Sequence, residues 1–162
     1  MIKLFYSECP EKISSEIYRK AQADMPEWRI KKALAYRREQ DRILCYYAYF
    51  LLKYAVKDFW DINNVPDISF GKYKKPFFSD YPEFFFNYSH CSAGVCCAVS
   101  DSEVGTDIQN IERYDGMKYV MTENEQQRIL IAKKPENEFT KLWTVKESFY
   151  KMLGSGLCND MN

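Results

Sequence analysis

Phe139-Thr-Lys-Leu-Trp-Thr-Val-Lys-Glu-Ser-Phe-Tyr-Lys-Met-Leu153 is the stretch on which the reading of this chain turns. Its spacing predicts the C-terminal part of a helix running from about 136 to 153, at about 100° per residue. Leu142, Val145, Phe149, Met152 and Leu153 then fall on one stripe, the expected core face. Glu147 and Lys151 project together from roughly the opposite side, at i and i+4. Two readings are open for that pair. One is a surface salt bridge worth about 0.3–0.5 kcal/mol. The other is an acid for metal or proton transfer beside a cation for a phosphate. Gly154 and Gly156 supply the helix stop.

Working outward, Val104-Gly-Thr-Asp-Ile-Gln109 reads as part of a strand over about 103–109. Alternation puts Asp107 and Gln109 on one face, a start for a hard-cation site because Mg²⁺ prefers oxygen ligands. Such triplets are also common at strand ends. Residues 83–90 and 92–99 read as two strands close enough for a hairpin. The first of them ends in Asn87-Tyr-Ser-His90, which holds the chain's single histidine. That histidine is either structural or part of a site. Gly71-Lys-Tyr-Lys-Lys-Pro76 is a lysine-rich turn. Residues 2–6 form a first strand, followed by helices over about 10–24 and 27–57. The second helix carries Lys31, Lys32, Arg37, Arg38 and Arg42, by default a solvated basic face. Further helical segments follow Asp115 and Thr122, the latter with Glu125 in a capping box.

Composition sets the outer bounds. The chain has 162 residues, 46% hydrophobic and 17% aromatic, enough for a real core in one domain or two small packed halves. Lys plus Arg and Asp plus Glu number 23 each. That balance argues against a nucleic-acid binder, which exploits an excess of positive charge. The six cysteines are Cys9, Cys45, Cys91, Cys96, Cys97 and Cys158, with no C-x-x-C pair to suggest zinc. The N-terminus, Met-Ile-Lys-Leu-Phe-Tyr, shows no secretory pattern. Reduced thiols in a cytoplasmic protein are expected. No apolar run reaches the ~20 residues of a membrane span.

Taken in order, these segments resemble the Sfp-type 4′-phosphopantetheinyl transferases. That family shows a G-x-D-x-E/Q element and, after a helical stretch, W-x-x-K-E-S/A-x-x-K. Here they are Gly105-Thr-Asp107-Ile-Gln109 and Trp143-Thr-Val-Lys146-Glu147-Ser148-Phe-Tyr-Lys151. An Asn-x-Ser-His element preceded by Gly-Lys-Pro is also typical, matched by Asn87 to His90 and by Lys75-Pro76. The resemblance covers about residue 30 to the C-terminus.

It implies an α+β fold of two pseudo-equivalent halves, 1–103 and 104–162, with coenzyme A in the cleft between them. It implies a holo-[acyl-carrier-protein] synthase type enzyme, moving the phosphopantetheine arm of coenzyme A to a serine of an acyl or peptidyl carrier protein. Mg²⁺ is the implied cofactor and 3′,5′-ADP the leaving group. Carried over by position, Asp107, Gln109 and Glu147 hold the metal. Glu147, or a water near it, serves as base, and Lys151 neutralises phosphate charge. Ser89 and His90 contact the phosphates, and Lys75 the nucleotide end, with Lys72 or Lys74 as substitutes in this longer turn. Lys31, Arg38 and Arg42 are the candidates for the 3′-phosphate.

Two departures stand out. Position 109 is Gln where the best-known relatives have Glu, and an amide is the weaker ligand. Relatives also continue past the glycine of the K-E-S helix into further strands, whereas this chain reads Gly154-Ser-Gly-Leu-Cys-Asn-Asp-Met-Asn162. The second half is therefore expected to be incomplete, with part of the apolar stripe exposed and self-association as a consequence. The alternative function is a degenerate remnant that binds coenzyme A or a carrier protein without transfer. A third possibility is a structural subunit completed by another chain.

Overall fold

The computed structural model describes residues 1–8 and 15–156. Cys9, Cys158, the first five residues of the expected first helix and the last six of the expected second half lie outside the described residues. The chain runs through β1 (Ile2–Glu8), α1 (Ser15–Asp24), α2 (Glu27–Leu34), α3 (Glu39–Trp60), β2 (Ile68–Phe70), β3 (Pro76–Phe78), β4 (Phe85–Cys91) and β5 (Gly94–Ser100). It continues through a short 3₁₀ turn at Met117–Tyr119, α4 (Glu123–Leu130) and α5 (Pro135–Leu153). The class is mixed α+β, as expected.

The strand β5 is central. It pairs antiparallel with β1 on one side and β4 on the other, in the order β1-β5-β4. All seven of its residues are buried. A strand covered on both faces has no need to alternate polar and apolar residues, which is why Val95-Cys-Cys-Ala-Val99 reads as one apolar run. Cys97 and Val99 pack with Leu52, Ala55 and Val56 of α3 and with Phe78 and Phe86. Cys96, on the opposite face, lies 3.4 Å from the Thr106 hydroxyl. The sheet is thus sandwiched between α3 and the segment that follows β5. Cys45, Cys91, Cys96 and Cys97 are free thiols.

Three expectations are corrected. The long second helix is two helices, broken between Leu34 and Glu39. No glycine or proline marks the break. Arg42 Nε instead donates to the Tyr36 carbonyl at 2.8 Å, satisfying an acceptor that the lost turn releases. The expected third strand is an irregular segment without strand pairing. The Thr106 N–H is taken by the Asn87 side-chain oxygen, 3.0 Å away, and not by a neighbouring strand.

The third correction concerns α5. Val145 is 61% exposed, Phe149 51% and Leu153 56%. The buried contacts of this helix come from Phe139, which packs with Met121 and Ile129, and from a polar face that includes Thr140. The stripe is real as a periodicity but half of it meets no core, the exposure anticipated above. The Thr122–Glu125 capping box and the left-handed stop at Gly154 (φ 66°) form as expected.

The prediction from this geometry is asymmetric. Phe139→Ala should lower stability by about 3 kcal/mol, the usual cost of emptying a buried aromatic site. Val145→Asp should shift it by less than about 0.5 kcal/mol. Urea unfolding followed by circular dichroism compares the two.

Candidate active site

The site begins with a close approach. Between Val104 and Asp107 the chain passes over β4 and β5 and under α5, and Gly105 is the point of nearest contact. A Cβ there would overlap the Ser148 carbonyl oxygen and the Met152 amide nitrogen. Only glycine lets the backbone come so near a helix. Asn87 holds the segment from below through the Thr106 N–H. These two contacts set the position of Asp107.

The Asp107 side chain is fully buried, at 0% exposure. Its Oδ1 accepts from the Ser89 hydroxyl at 2.7 Å and from Lys151 Nζ at 2.5 Å. Lys151 also donates to Ser89 Oγ at 3.0 Å. Oδ2 is buried with no partner in the structure. A buried carboxylate oxygen left unpaired costs free energy unless something fills the position. Glu147 lies one turn before Lys151 on α5, 3.9 Å from its Nζ. Burial pushes the Glu147 carboxyl above its usual range; Lys151 opposes that rise and the charge of Asp107 adds to it.

The residue types suit a divalent cation. Two carboxylates converge, one with a free buried oxygen, and Gln109 follows Asp107 by two residues as a half-buried amide. Among the described residues no group of three or more His, Cys, Asp or Glu side chains gathers. A cation held here would therefore depend on the amide, on water and on its anionic ligand.

On the other face of β4 lies a cationic neighbourhood. Arg29 of α2 is 2% exposed and donates to the Tyr88 hydroxyl (2.8 Å) and the Cys45 carbonyl (2.9 Å). Burial holds His90 below its ordinary range, helped by Arg29, Lys32 and Lys151 and opposed by Asp41. Burial likewise lowers Lys32, with Arg29 and Lys74 pressing the same way and Cys45 against. Several cations thus crowd one side of the cleft and favour an anion there. A cavity of about 290 Å³ lies beside the site, lined by Lys74, Lys75, Asn87, Tyr88, Glu147 and Lys151 among others.

The structure brings Ser89, Asp107, Glu147 and Lys151 together, with His90 on the other face of β4 within electrostatic reach of Lys151. It does not gather the expected 3′-phosphate set. Lys31 is exposed and paired with Glu27 at 2.7 Å, Arg38 is exposed where α3 begins, and Arg42 is turned to the Tyr36 carbonyl. Lys75 lines the cavity, with its ammonium bonded to Glu103 and the Met152 carbonyl. Arg29, Lys32 and Tyr88 were missed. Arg29 and Ala33, four residues apart, form the buried face of α2, and Lys32 is exposed at its edge. Lys74 was named only as a substitute, and its left-handed backbone (φ 63°) belongs to the turn.

Gly105→Ala should destabilise the fold by more than about 2 kcal/mol, since backbone and not a flexible side chain opposes the added methyl. Gly116→Ala, where nothing lies within 4 Å, serves as the control and should be near neutral. Thermal unfolding distinguishes them.

Comparison with known proteins bears on the family. Residues 103–162 match the family model of the 4′-phosphopantetheinyl transferase superfamily. The 4′-phosphopantetheinyl transferase gsp of Aneurinibacillus migulanus is 28% identical over 171 aligned positions, covering 100% of this chain and 70% of that protein. The 4′-phosphopantetheinyl transferase Sfp of Bacillus subtilis (strain 168) is 35% identical over 97, covering 56% of this chain and 43% of its own length. The Bacillus subtilis 4′-phosphopantetheinyl transferase ffp is 32% identical over 113, covering 66% and 50%. The alignments to Sfp and ffp thus span half or less of those relatives' lengths. The chain is thus similar to 4′-phosphopantetheinyl transferases of the Sfp type, and it spans 43%, 50% and 70% of the lengths of Sfp, ffp and gsp.

Proposed function

We propose that this protein transfers the 4′-phosphopantetheine arm of coenzyme A to a serine of an acyl or peptidyl carrier protein, as a holo-[acyl-carrier-protein] synthase type enzyme. The observation that carries the reading is the buried Asp107 carboxylate. One of its oxygens is held by Ser89 and Lys151 and the other is unpartnered, beside Glu147. Phosphoryl transfer asks mainly for positioning and charge neutralisation, and these groups supply both. The proposed arrangement is two pseudo-equivalent halves, 1–103 and 104–162, with coenzyme A between them.

In the reaction the serine oxygen bonds to the phosphorus that bears the pantetheine. The bridging P–O bond breaks and its electron pair leaves with 3′,5′-ADP. The serine proton passes to Glu147, directly or through water; its raised proton affinity suits a base. Lys151 neutralises charge on the phosphates, and Ser89 and His90 orient them. Asp107, Glu147 and Gln109 would hold Mg²⁺, which when bound offsets the charge of the pyrophosphate. For the 3′-phosphate Lys74, which lines the cavity, is the candidate in place of Lys31, Arg38 and Arg42, with the buried Arg29 adding to the positive field. Among the described residues no helix is long and apolar enough to cross a membrane. A cytoplasmic enzyme with no nucleic-acid partner is the corresponding proposal.

A second reading is a remnant that binds coenzyme A or a carrier protein without transfer. Gln109 favours it, as does Lys151, which occupies one oxygen of Asp107. The deciding assay mixes the protein, Mg²⁺, coenzyme A and an apo carrier protein and reads intact mass. A gain of one phosphopantetheine arm, abolished by EDTA, is expected, and Glu147→Gln should reduce the rate about a hundredfold or more. No gain, with coenzyme A still bound by calorimetry, would establish the remnant.

His90 gives a pH prediction. Its affinity for protons is depressed in the free protein, and a neighbouring phosphate dianion would raise it. Binding then takes up a proton, so coenzyme A should bind more tightly as pH falls from about 7.5 to about 6. His90→Gln should flatten that slope, with the phosphate's own titration common to both proteins.

The exposed Val145, Phe149 and Leu153 support self-association through α5, since contiguous apolar surface invites a partner. Light scattering across the micromolar range should show a concentration-dependent mass that Val145→Asp reduces. A clean monomer would remove the idea.

A further inference from the structure

Lys146, which directly precedes Glu147, has no part in the site described above. It projects about 100° round the helix from Glu147. It lies seven residues, about two turns, beyond Phe139, and so shares the face of α5 that packs on Met121 and Ile129. Its Nζ donates to the Val120 carbonyl at 2.9 Å and pairs with Glu125 Oε2 at 2.7 Å. The Lys146 side chain is 16% exposed and that of Glu125 26%. Neither residue lines the cavity beside Glu147 and Lys151.

Glu125 is already engaged at the start of α4. Its Oε2 accepts from the Thr122 N–H at 2.8 Å and from the Thr122 hydroxyl at 3.0 Å. The cap of α4 and the middle of α5 thus meet at one carboxylate. Burial acts to raise the Glu125 carboxyl, yet its hydrogen bonds to Lys146 and Thr122 hold it below its usual range. The acceptors around this cap are shared out in order. The Met121 carbonyl accepts from the Gln126 side chain at 2.8 Å and the Thr122 carbonyl from the Gln126 N–H at 2.9 Å. The Val120 carbonyl goes to Lys146.

The helix α5 is therefore gripped at two places. At one, the Gly105 backbone lies against Ser148 and Met152. At the other, Lys146 is tied to the start of α4. Lys146 and Ser148 are two residues apart, about 200° round the helix, so the grips lie on nearly opposite sides. A helix held on one side only can roll about that contact. Held on both, it has one rotation, and that rotation decides where Glu147 and Lys151 point.

We propose that Lys146 is a positioning residue that, with Glu125, sets the rotation of α5 and so the aim of Glu147 in the site. It is not a phosphate ligand, because its ammonium is committed to Val120 and Glu125, outside the cavity. The kinetic part of the inference rests on the transferase reading above; the structural part does not.

The test uses the full chain with Lys146→Met, Lys146→Arg, Glu125→Gln and the double variant Lys146→Met with Glu125→Gln. Gln also serves at the Glu position of a capping box, so Glu125→Gln keeps the cap of α4 and removes only the charge that Lys146 meets. Amide hydrogen exchange over residues 143–151 should accelerate about tenfold in Lys146→Met and in Glu125→Gln, the scale of losing a charged hydrogen bond. The double variant should exchange no faster than the quicker single one, because both lose the same tie. Lys146→Arg should stay close to wild type. In the transfer assay Lys146→Met and Glu125→Gln should each lower kcat about tenfold with KM for coenzyme A nearly unchanged, and Lys146→Arg should recover most of the rate. A raised KM in Lys146→Met, with wild-type kinetics and exchange in Glu125→Gln, would overturn the proposal and make Lys146 a ligand contact. Unchanged kcat in both variants would overturn it as well. If the wild-type chain transfers nothing, the transferase reading fails alone, and the exchange rates decide the tie: faster in both single variants supports it, unchanged in either overturns it.

Discussion

The structure depends on one close approach, the backbone of Gly105 against the last turns of α5. A carboxylate is costly to bury, and the Asp107 side chain is buried completely. It is tolerable because the approach brings Lys151 and Ser89 to one of its oxygens. Neither helix nor sheet would supply that set alone. α5 contributes the ammonium, β4 the hydroxyl, and the irregular segment between them the acid. Widening the gap at residue 105 by a single methyl would separate all three.

That constraint explains features that would otherwise look inconsistent. The inner face of α5 is polar, with Thr140, Thr144, Ser148 and Lys151 turned inward or part-buried, because it covers a charged segment and not a core. Ser148 and Thr144 hydroxyls return to carbonyls four residues back, at 2.8 and 2.7 Å, and so bring no unsatisfied donor to the contact. The apolar residues of the helix are left on its flank. The segment 104–107 lacks strand pairing for the same reason: its backbone is held by a side chain of β4 and by van der Waals contact with a helix.

The cationic side of the cleft follows a different logic. Arg29 is buried with no carboxylate partner among the described residues, its guanidinium held by a phenol, a carbonyl and the Tyr88 ring 5.0 Å away. The field it leaves is felt by Lys32 and His90, both of which resist protonation more than they would in water. A protein accepts such crowding where an anion relieves it. The two faces of β4 thus divide the work, acids and Lys151 on one and fixed positive charge on the other.

The sequence by itself determined the mixed class of the fold, the β4–β5 hairpin, the helix stop at Gly154 and the capping box at Thr122, which are local patterns that backbone preference and side-chain chemistry are enough to read; the group Ser89, His90, Asp107, Glu147 and Lys151 was implied only by the resemblance to a family's motifs. Only the tertiary structure decided which face of α5 is inside, that residues 103–109 form no strand, and that Lys75 points to a helix end. Periodicity reports that apolar residues share a side and not what lies against that side, and here a charged segment lies against the other. The basic residues show the same limit. Lys31 and Lys32 are neighbours in sequence, about 100° apart on the helix, and nothing local says which of them faces His90. That choice belongs to the packing of α2 on α3, where Ala33 and Cys45 meet in one buried cluster and leave Arg29 and Lys32 within electrostatic reach of His90.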